Sequence, residues 1–499
     1  MIELFRKKNI SAILLFVTAV LLLVWFFTAK LLIFHRLGYQ SDFYCHLGIA
    51  RGWLLDRPLL FENNYGYHGR LHNYYFDLLM GPFALWWGGY GILIFQFIVY
   101  LIAIWYTLPA LYKSAPTIHK KAMVWFFYTV IFFGPLGFWL YDNPHYGFHT
   151  EMMYIPLGFI FAVSLYKKQV WVSVLTSLLM VTVKEDGPVI VACIHLMYFA
   201  LEWITGNLPT RKWLTRSLLW GFVWVLLFIA GILFLKYKNN FNDDRLAQSF
   251  SAFLNRNPGE SRPYFALVFE RWFMLQMPLI ATLLFFRVVN WRIWVTWLVF
   301  QLPVMLVNLV SGFVYWPHQF FSLTWTPRFS LTFSLYVALL AYCVMFVSRN
   351  WFRPAGFSVF AYLLFGALFF RWQFTLLRVN AGYYLYSTGQ EVYTAPHPET
   401  YYTHWMEVKK VRDVLPENYP VAIPHKLFGY FHKQDYIWPG AMHGGYTKPR
   451  MIIIDETNAQ HLDIRYLKPP ADSVITDKVK YYFVAEDRRY LIEAGITDK

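Results

Sequence analysis

Four polar clusters interrupt a strongly apolar chain, and each holds residues that can do chemistry. The first is Ser41-Asp42, ahead of Phe43-Tyr44-Cys45-His46. Asp42 reads as an N-cap, accepting first-turn amides, or as a general base that takes the proton of an acceptor hydroxyl; a capping carboxylate has a second oxygen, so both can hold. His46 follows one turn later on the same helical face and is a candidate to bind substrate. The second cluster gathers Asp142, His145, His149 and Glu151 within ten residues. Such a set can hold a hard or borderline divalent ion, although its spacing matches no closed zinc site. Asp142, His149 and Glu151 are the candidate ligands, and a polar loop capping the next helix is the alternative.

The third cluster is Lys184-Glu185-Asp186 in a tight turn. It reads as a solvated turn. Sunk into a cavity, its charges would need partners: Lys184 would suit a phosphate, and Glu185 or Asp186 a metal or a substrate hydroxyl. Glu151 and Glu185 join Asp42 as catalytic candidates. The fourth cluster is His318, in Tyr315-Trp316-Pro317-His318, read as structural within an interfacial aromatic belt or as substrate-binding. Arg328 and Arg371 lie near helix ends. They either snorkel or clamp a lipid phosphate bidentately.

The elements that must position these residues are membrane helices. Of the 499 residues 58% are hydrophobic and 15% charged, well below the roughly 25% of soluble domains. Apolar runs fall at 10–34, 91–112, 122–141, 152–166, 170–183, 188–204, 218–235, 265–286, 293–314, 331–347 and 357–377. The expectation is an α-helical polytopic membrane protein of about eleven transmembrane helices. The stretch 76–89 is a further apolar piece, broken by Gly81-Pro82 and Gly88-Gly89. The run at 10–34 is too long for a signal-peptide core and reads as a retained helix.

Basic residues collect in alternate loops: Arg6, Lys7 and Lys8; Lys113, Lys120 and Lys121; Lys167 and Lys168; Arg211, Lys212 and Arg216; Arg287 and Arg292; Arg349 and Arg353. By the positive-inside rule these loops are cytoplasmic, which places all four polar clusters outside. The net charge of +15 thus reflects orientation, and no basic stripe of a nucleic-acid reader is present. Three cysteines, far apart, form no disulfide or ligand pattern. Composition shifts after Arg378. Residues 1–379 are expected to form the membrane domain, and residues 380–499 a small extracytoplasmic α/β domain with a helix at 407–415 and strands near 420–423, 450–455 and 480–484.

Together these residues resemble the GT-C class of membrane glycosyltransferases. More closely, the chain resembles a family of predicted membrane proteins of unassigned activity. Its pattern is an early Asp, then F-H-P-E, K-E-D and a His-aromatic segment. Here these read Asp42; Phe148-His149-Thr150-Glu151; Lys184-Glu185-Asp186; and His318. Thr150 stands where the family has Pro. The resemblance implies transfer of a sugar from a polyprenyl-phosphate donor to a glycan, lipid or protein acceptor at the outer face of the bilayer. It implies an outer-loop carboxylate as base and, in some members, a divalent metal ion. Two other classes fit the composition: a transporter, which would carry charges at mid-span on broken helices, and a non-catalytic assembly or binding protein.

Overall fold

The computed structural model describes residues 10–35, 39, 41–63, 66–67, 69, 72–132, 148–238, 251, 290–312, 326–346, 398–423, 427, 429–437, 448–455, 470, 472–476 and 479–497. Its elements, in chain order, begin with α1 (Ile10–His35), α2 (Ser41–Gly52), β1 (Phe61–Glu62), β2 (Gly66–Tyr67), α3 (Gly81–Trp87), α4 (Gly89–Lys113) and α5 (Ile118–Phe126). There follow α6 (Tyr154–Tyr166), α7 (Val170–Val183), α8 (Gly187–Ile204), α9 (Thr210–Lys238), α10 (Trp291–Gly312), α11 (Thr326–Phe346) and α12 (Pro398–Val414). The chain ends with β3 (Pro420–Ala422), β4 (Asp435–Ile437), β5 (Met451–Asp455), β6 (Asp472–Ile475), β7 (Val479–Phe483) and α13 (Arg488–Glu493).

The fold is mostly helical, with a small sheet near the C-terminus. Among the described residues, α4, α8 and α9 are long and apolar enough to cross a membrane. The expected count of about eleven spans is not supported. Helices α6 and α7 have 13 and 14 residues, short of the roughly 20 that a bilayer core requires. The candidate spans at 265–286 and 357–377 lie outside the described residues.

The chain divides into two compact units. The first comprises Met1–Phe26, Gln96–Asn143 and Thr150–Asn380. Within it α8 is central and packs against α6, α7, α9, α10 and α11. Helices α6 and α11 approach closely at Gly158, where an added Cβ would come within 2.5 Å of Ser334 Oγ. Small residues permit such approach where apolar burial offers no net drive. The Ser334 hydroxyl donates to Tyr154 O at 2.9 Å, and the Tyr342 hydroxyl to Ile194 O at 3.3 Å. Both bonds satisfy polar groups between helices.

The second unit comprises Phe27–Phe95, Pro144–His149 and Ala381–Lys499. The C-terminal segment thus groups with early parts of the chain. Its sheet has the order β4-β3-β5-β7-β6. Strand β3 runs parallel to β4 and β5, while β7 is antiparallel to β5 and β6. Along β7, Val479, Tyr481 and Phe483 are buried and the residues between them half-buried, the two-residue period of a strand with one face in the core. Glu407 on α12 accepts from the Tyr481 and Thr476 hydroxyls at 2.8 and 2.9 Å. In the same unit Gly88, at φ 57°, ends α3 in a conformation that favours glycine. This splits the apolar run 76–89 into separate pieces.

Candidate functional site

In the first unit, the third polar cluster meets part of the second. A 3-10 turn over Thr150–Met153 buries Glu151 at the start of α6. Helix α7 ends at Val183, and Lys184 leaves it in extended conformation. There Lys184 Nζ meets Glu151 Oε1 at 2.7 Å, with the side chains 19% and 3% exposed. Asp186 stands at the N-cap of α8 but caps no amide. Its Oδ1 instead accepts the Tyr154 hydroxyl at 2.6 Å.

The charges tune one another. Burial pushes the Asp186 carboxyl up to about 6; Glu185 and Glu151 add to the rise, and Lys184 and the Tyr154 bond oppose it. For Lys184 burial acts downward, but the carboxylates of Glu151, Asp186 and Glu185 override it and hold the ammonium above its ordinary value. A low-dielectric setting strengthens such couplings. Lys184 is already engaged by Glu151, so a phosphate at this turn would have to compete with a buried carboxylate.

In the second unit, α2 carries Asp42 in its first turn and His46 four residues on. Residues 43–50 are all buried. His46 Nδ1 lies 2.6 Å from Asp77 Oδ2, and both side chains are almost wholly out of water. Asp77 comes from a 3-10 helix over Tyr75–Met80. Aromatic rings surround the imidazole edge-on: Tyr74 at 4.9 Å, His149 at 5.0 Å and Phe148 at 5.5 Å between centroids. His72 packs on Tyr74 at 4.9 Å.

The far end of α2 is held by the C-terminal sheet. Arg51, fully buried, donates to the carbonyl oxygens of His432 and Gln434 and lies 4.1 Å above the Tyr436 ring. Burial lowers its pKa from the ordinary guanidinium value, Tyr436 and Asp435 resisting and Arg57 assisting. Arg57 and Asn63 both bond to Asp435 Oδ1, and Asn63 Nδ2 also donates to Tyr436 O at 2.7 Å. Strand β4 is an edge of the sheet, and a side-chain amide on its outer carbonyl blunts that edge.

Glu151, Lys184, Glu185 and Asp186 thus come together in the first unit, and His46 and His149 in the second. Asp42 and Arg328 are placed on α2 and α11 by backbone alone. Asp142, His318 and Arg371 lie outside the described residues. Of the candidate metal ligands, His149 packs on His46 and Glu151 pairs with Lys184. Among the described residues no group of three or more His, Cys, Asp or Glu side chains could hold a metal ion. Sequence reasoning missed Asp77, Tyr154 and Arg51. Asp77 had a signal, being the one acid in the apolar stretch 76–89. Compared with protein-family models, curated proteins and solved structures, the chain matches none.

Proposed function

We propose that the chain is a multi-pass membrane glycosyltransferase. It moves a sugar from a polyprenyl-phosphate donor to an acceptor hydroxyl at the extracytoplasmic face, with its N-terminus cytoplasmic and residues 380–499 outside. The observation that carries this reading is the arrangement on α2, where Asp42 precedes by one turn a buried histidine bonded to a buried carboxylate. Ionisable groups are costly near a membrane and are kept there for a task. Asp42 serves as general base, with Glu151 and Glu185 as further carboxylates. Arg328, Arg371 and His318 bind the donor, the arginines through its phosphate. A divalent ion, where required, would draw on His149 or Asp142.

A second reading, a non-catalytic membrane assembly protein, is favoured by one observation: Lys184 and Glu151 are engaged with each other. Transfer from radiolabelled polyprenyl-phosphate glucose and mannose by the purified protein separates the two. Asp42→Asn should lower the rate by about 10²–10⁴-fold, the usual loss of general-base help. Folding should be little changed, because Asn keeps the shape of Asp and a first-turn carboxylate contributes only about 0.3–1 kcal/mol through the helix dipole. Transfer by Asp42→Asn at the wild-type rate would leave Asp42 a first-turn helix residue with no catalytic part. No donor consumption by the wild type would favour the assembly reading.

A further inference from the structure

The end of α8 away from Asp186 has no part in the roles assigned so far. Helix α8 has 18 residues, so its two ends are about 25 Å apart. In its last turn Trp203 stacks on Trp213 of α9, ring centroids 4.6 Å apart, and the Trp203 indole donates to Thr210 Oγ1 at 3.1 Å. The Arg292 guanidinium, from the first turn of α10, lies 6.0 Å from the Trp203 ring centroid. The stack thus joins Arg292 to the first two turns of α9, which carry Arg211, Lys212 and Arg216. All four cations are exposed. Helices α8, α9 and α10 hold one acid between them, Glu202, which is buried and accepts the Tyr198 hydroxyl. Among the described residues no carboxylate forms a salt bridge with any of the four cations. Like charges four apart on a helix, as Lys212 and Arg216 are, repel one another, and an anion seated among them relieves that repulsion.

The surroundings of the cations decide what kind of anion fits. On α9, Leu214 and Leu218 follow Arg211 by three and seven residues. On α10, Val295 and Val299 follow Arg292 by the same steps. All four apolar side chains are exposed. This spacing keeps each set on one helical face, so on each helix an arginine heads an open apolar strip. A free anion would engage the cations and leave the strips bare, whereas a lipid covers both. We infer that this end of α8, α9 and α10 is a binding site for an anionic phospholipid, its phosphate held by Arg211, Arg216 and Arg292 and its acyl chains lying on the two strips. Guanidinium groups suit the phosphate oxygens bidentately, and Lys212 adds a point charge. Stacked indoles belong at headgroup level, where one side is apolar and the other wet. The inference does not depend on the glycosyltransferase reading.

The test uses the full chain in nanodiscs of phosphatidylcholine with phosphatidylglycerol added in steps, the retained lipid being identified by native mass spectrometry. Wild type should retain phosphatidylglycerol in preference to phosphatidylcholine, and the preference should fall as salt screens the charges. Each basic residue at a membrane surface contributes about fivefold toward anionic lipid. The triple variant Arg211→Gln, Arg216→Gln, Arg292→Gln should therefore lower the preference about 100-fold, with Tm held. The triple variant Lys113→Gln, Lys121→Gln, Lys168→Gln removes the same charge at other helix ends and should keep the preference. Equal retention of the two lipids by wild type overturns the inference, whether or not the variants fold. An equal loss in both triple variants also overturns it, since that marks a general attraction of basic ends for anionic lipid. Inorganic phosphate should not displace the retained lipid; displacement would make this a site for free phosphate and overturn the lipid assignment.

Discussion

Two tyrosine-bonded aspartates, one in each unit, have opposite electrostatics. Asp186 accepts the Tyr154 hydroxyl and Asp487 the Tyr419 hydroxyl, both at 2.6 Å. Each has a cation nearby. Yet the Asp186 carboxyl rises to about 6, while that of Asp487 is held below its ordinary value. Burial acts upward on both. At Asp186 the neighbours Glu185 and Glu151 reinforce it, and the Lys184 ammonium is 2.7 Å from Glu151 instead. At Asp487, Arg450 donates directly at 2.8 and 3.1 Å, the Tyr419 bond assists, and Arg489 adds attraction. The same tyrosine–carboxylate bond therefore belongs to a crowded acidic knot in one unit and to a satisfied ion pair in the other.

The largest effect expected from breaking this contrast is at Lys184. Lys184→Met removes the ammonium that pairs with Glu151, whose side chain is 3% exposed. Removing one partner of a buried pair costs about 3–5 kcal/mol, read as a lower Tm in detergent. Arg450 is 44% exposed, and Arg450→Met should cost clearly less. Equal losses would erase the distinction between the units.

Next in size is the tyrosine hydroxyl. Among the described residues Asp186 accepts one side-chain hydrogen bond, from Tyr154, whereas Asp487 also has Arg450. A hydrogen bond to a charged group contributes about 1.5–3 kcal/mol. Tyr154→Phe should fall in that range and exceed Tyr419→Phe. The reverse order in thermal unfolding would contradict the pairing described.

The smallest effect is in pH dependence, and its sign differs between the units. Between about pH 4 and 6 the folded protein binds more protons at Asp186 than the unfolded chain does. The Asp186 contribution to stability therefore falls as pH rises through that window, and Asp186→Asn should remove the slope. For Asp487 the folded pKa is depressed. Its contribution is full above the ordinary carboxylate range and lost as pH falls through the folded value, so Asp487→Asn should flatten the acid limb. Thermal unfolding of both variants from pH 3 to 8 checks the two signs.

The sequence exposed the charged knot because Glu151, Lys184 and Asp186 are rare residue types in apolar surroundings. It did not expose their partnership. Lys184 reads as a phosphate ligand until a 3-10 turn, invisible in hydropathy, places Glu151 beside it. Asp77 was legible only as an oddity, because 31 residues separate it from His46 and no local periodicity joins them. The boundaries of α7 coincide with the run at 170–183, since a polar turn closes each end. Helix α12 begins nine residues before the expected 407. Strands β4 and β6, of three and four residues, are too short to show alternation. The strands that were legible, near 420, 450 and 480, carry the buried apolar residues of the sheet. Hydropathy marks where apolar helices fall but not how many cross the bilayer, because runs such as 152–166 and 170–183 are apolar yet shorter than the roughly 20 residues that a bilayer core requires.

The clamp on strand β4 has a consequence for how the protein is made. Asn63 meets Asp435 across a separation of 372 residues. Domains generally fold as units during synthesis at about 5–20 residues per second, so Asn63 leaves the ribosome roughly 20–75 s before its partner. For that interval the guanidinium of Arg51 lacks the carbonyl groups of His432 and Gln434 that later accept from it. A chain released before residue 435 cannot close the clamp however long it waits, so the order around Arg57 and Asn63 depends on residues translated long after them.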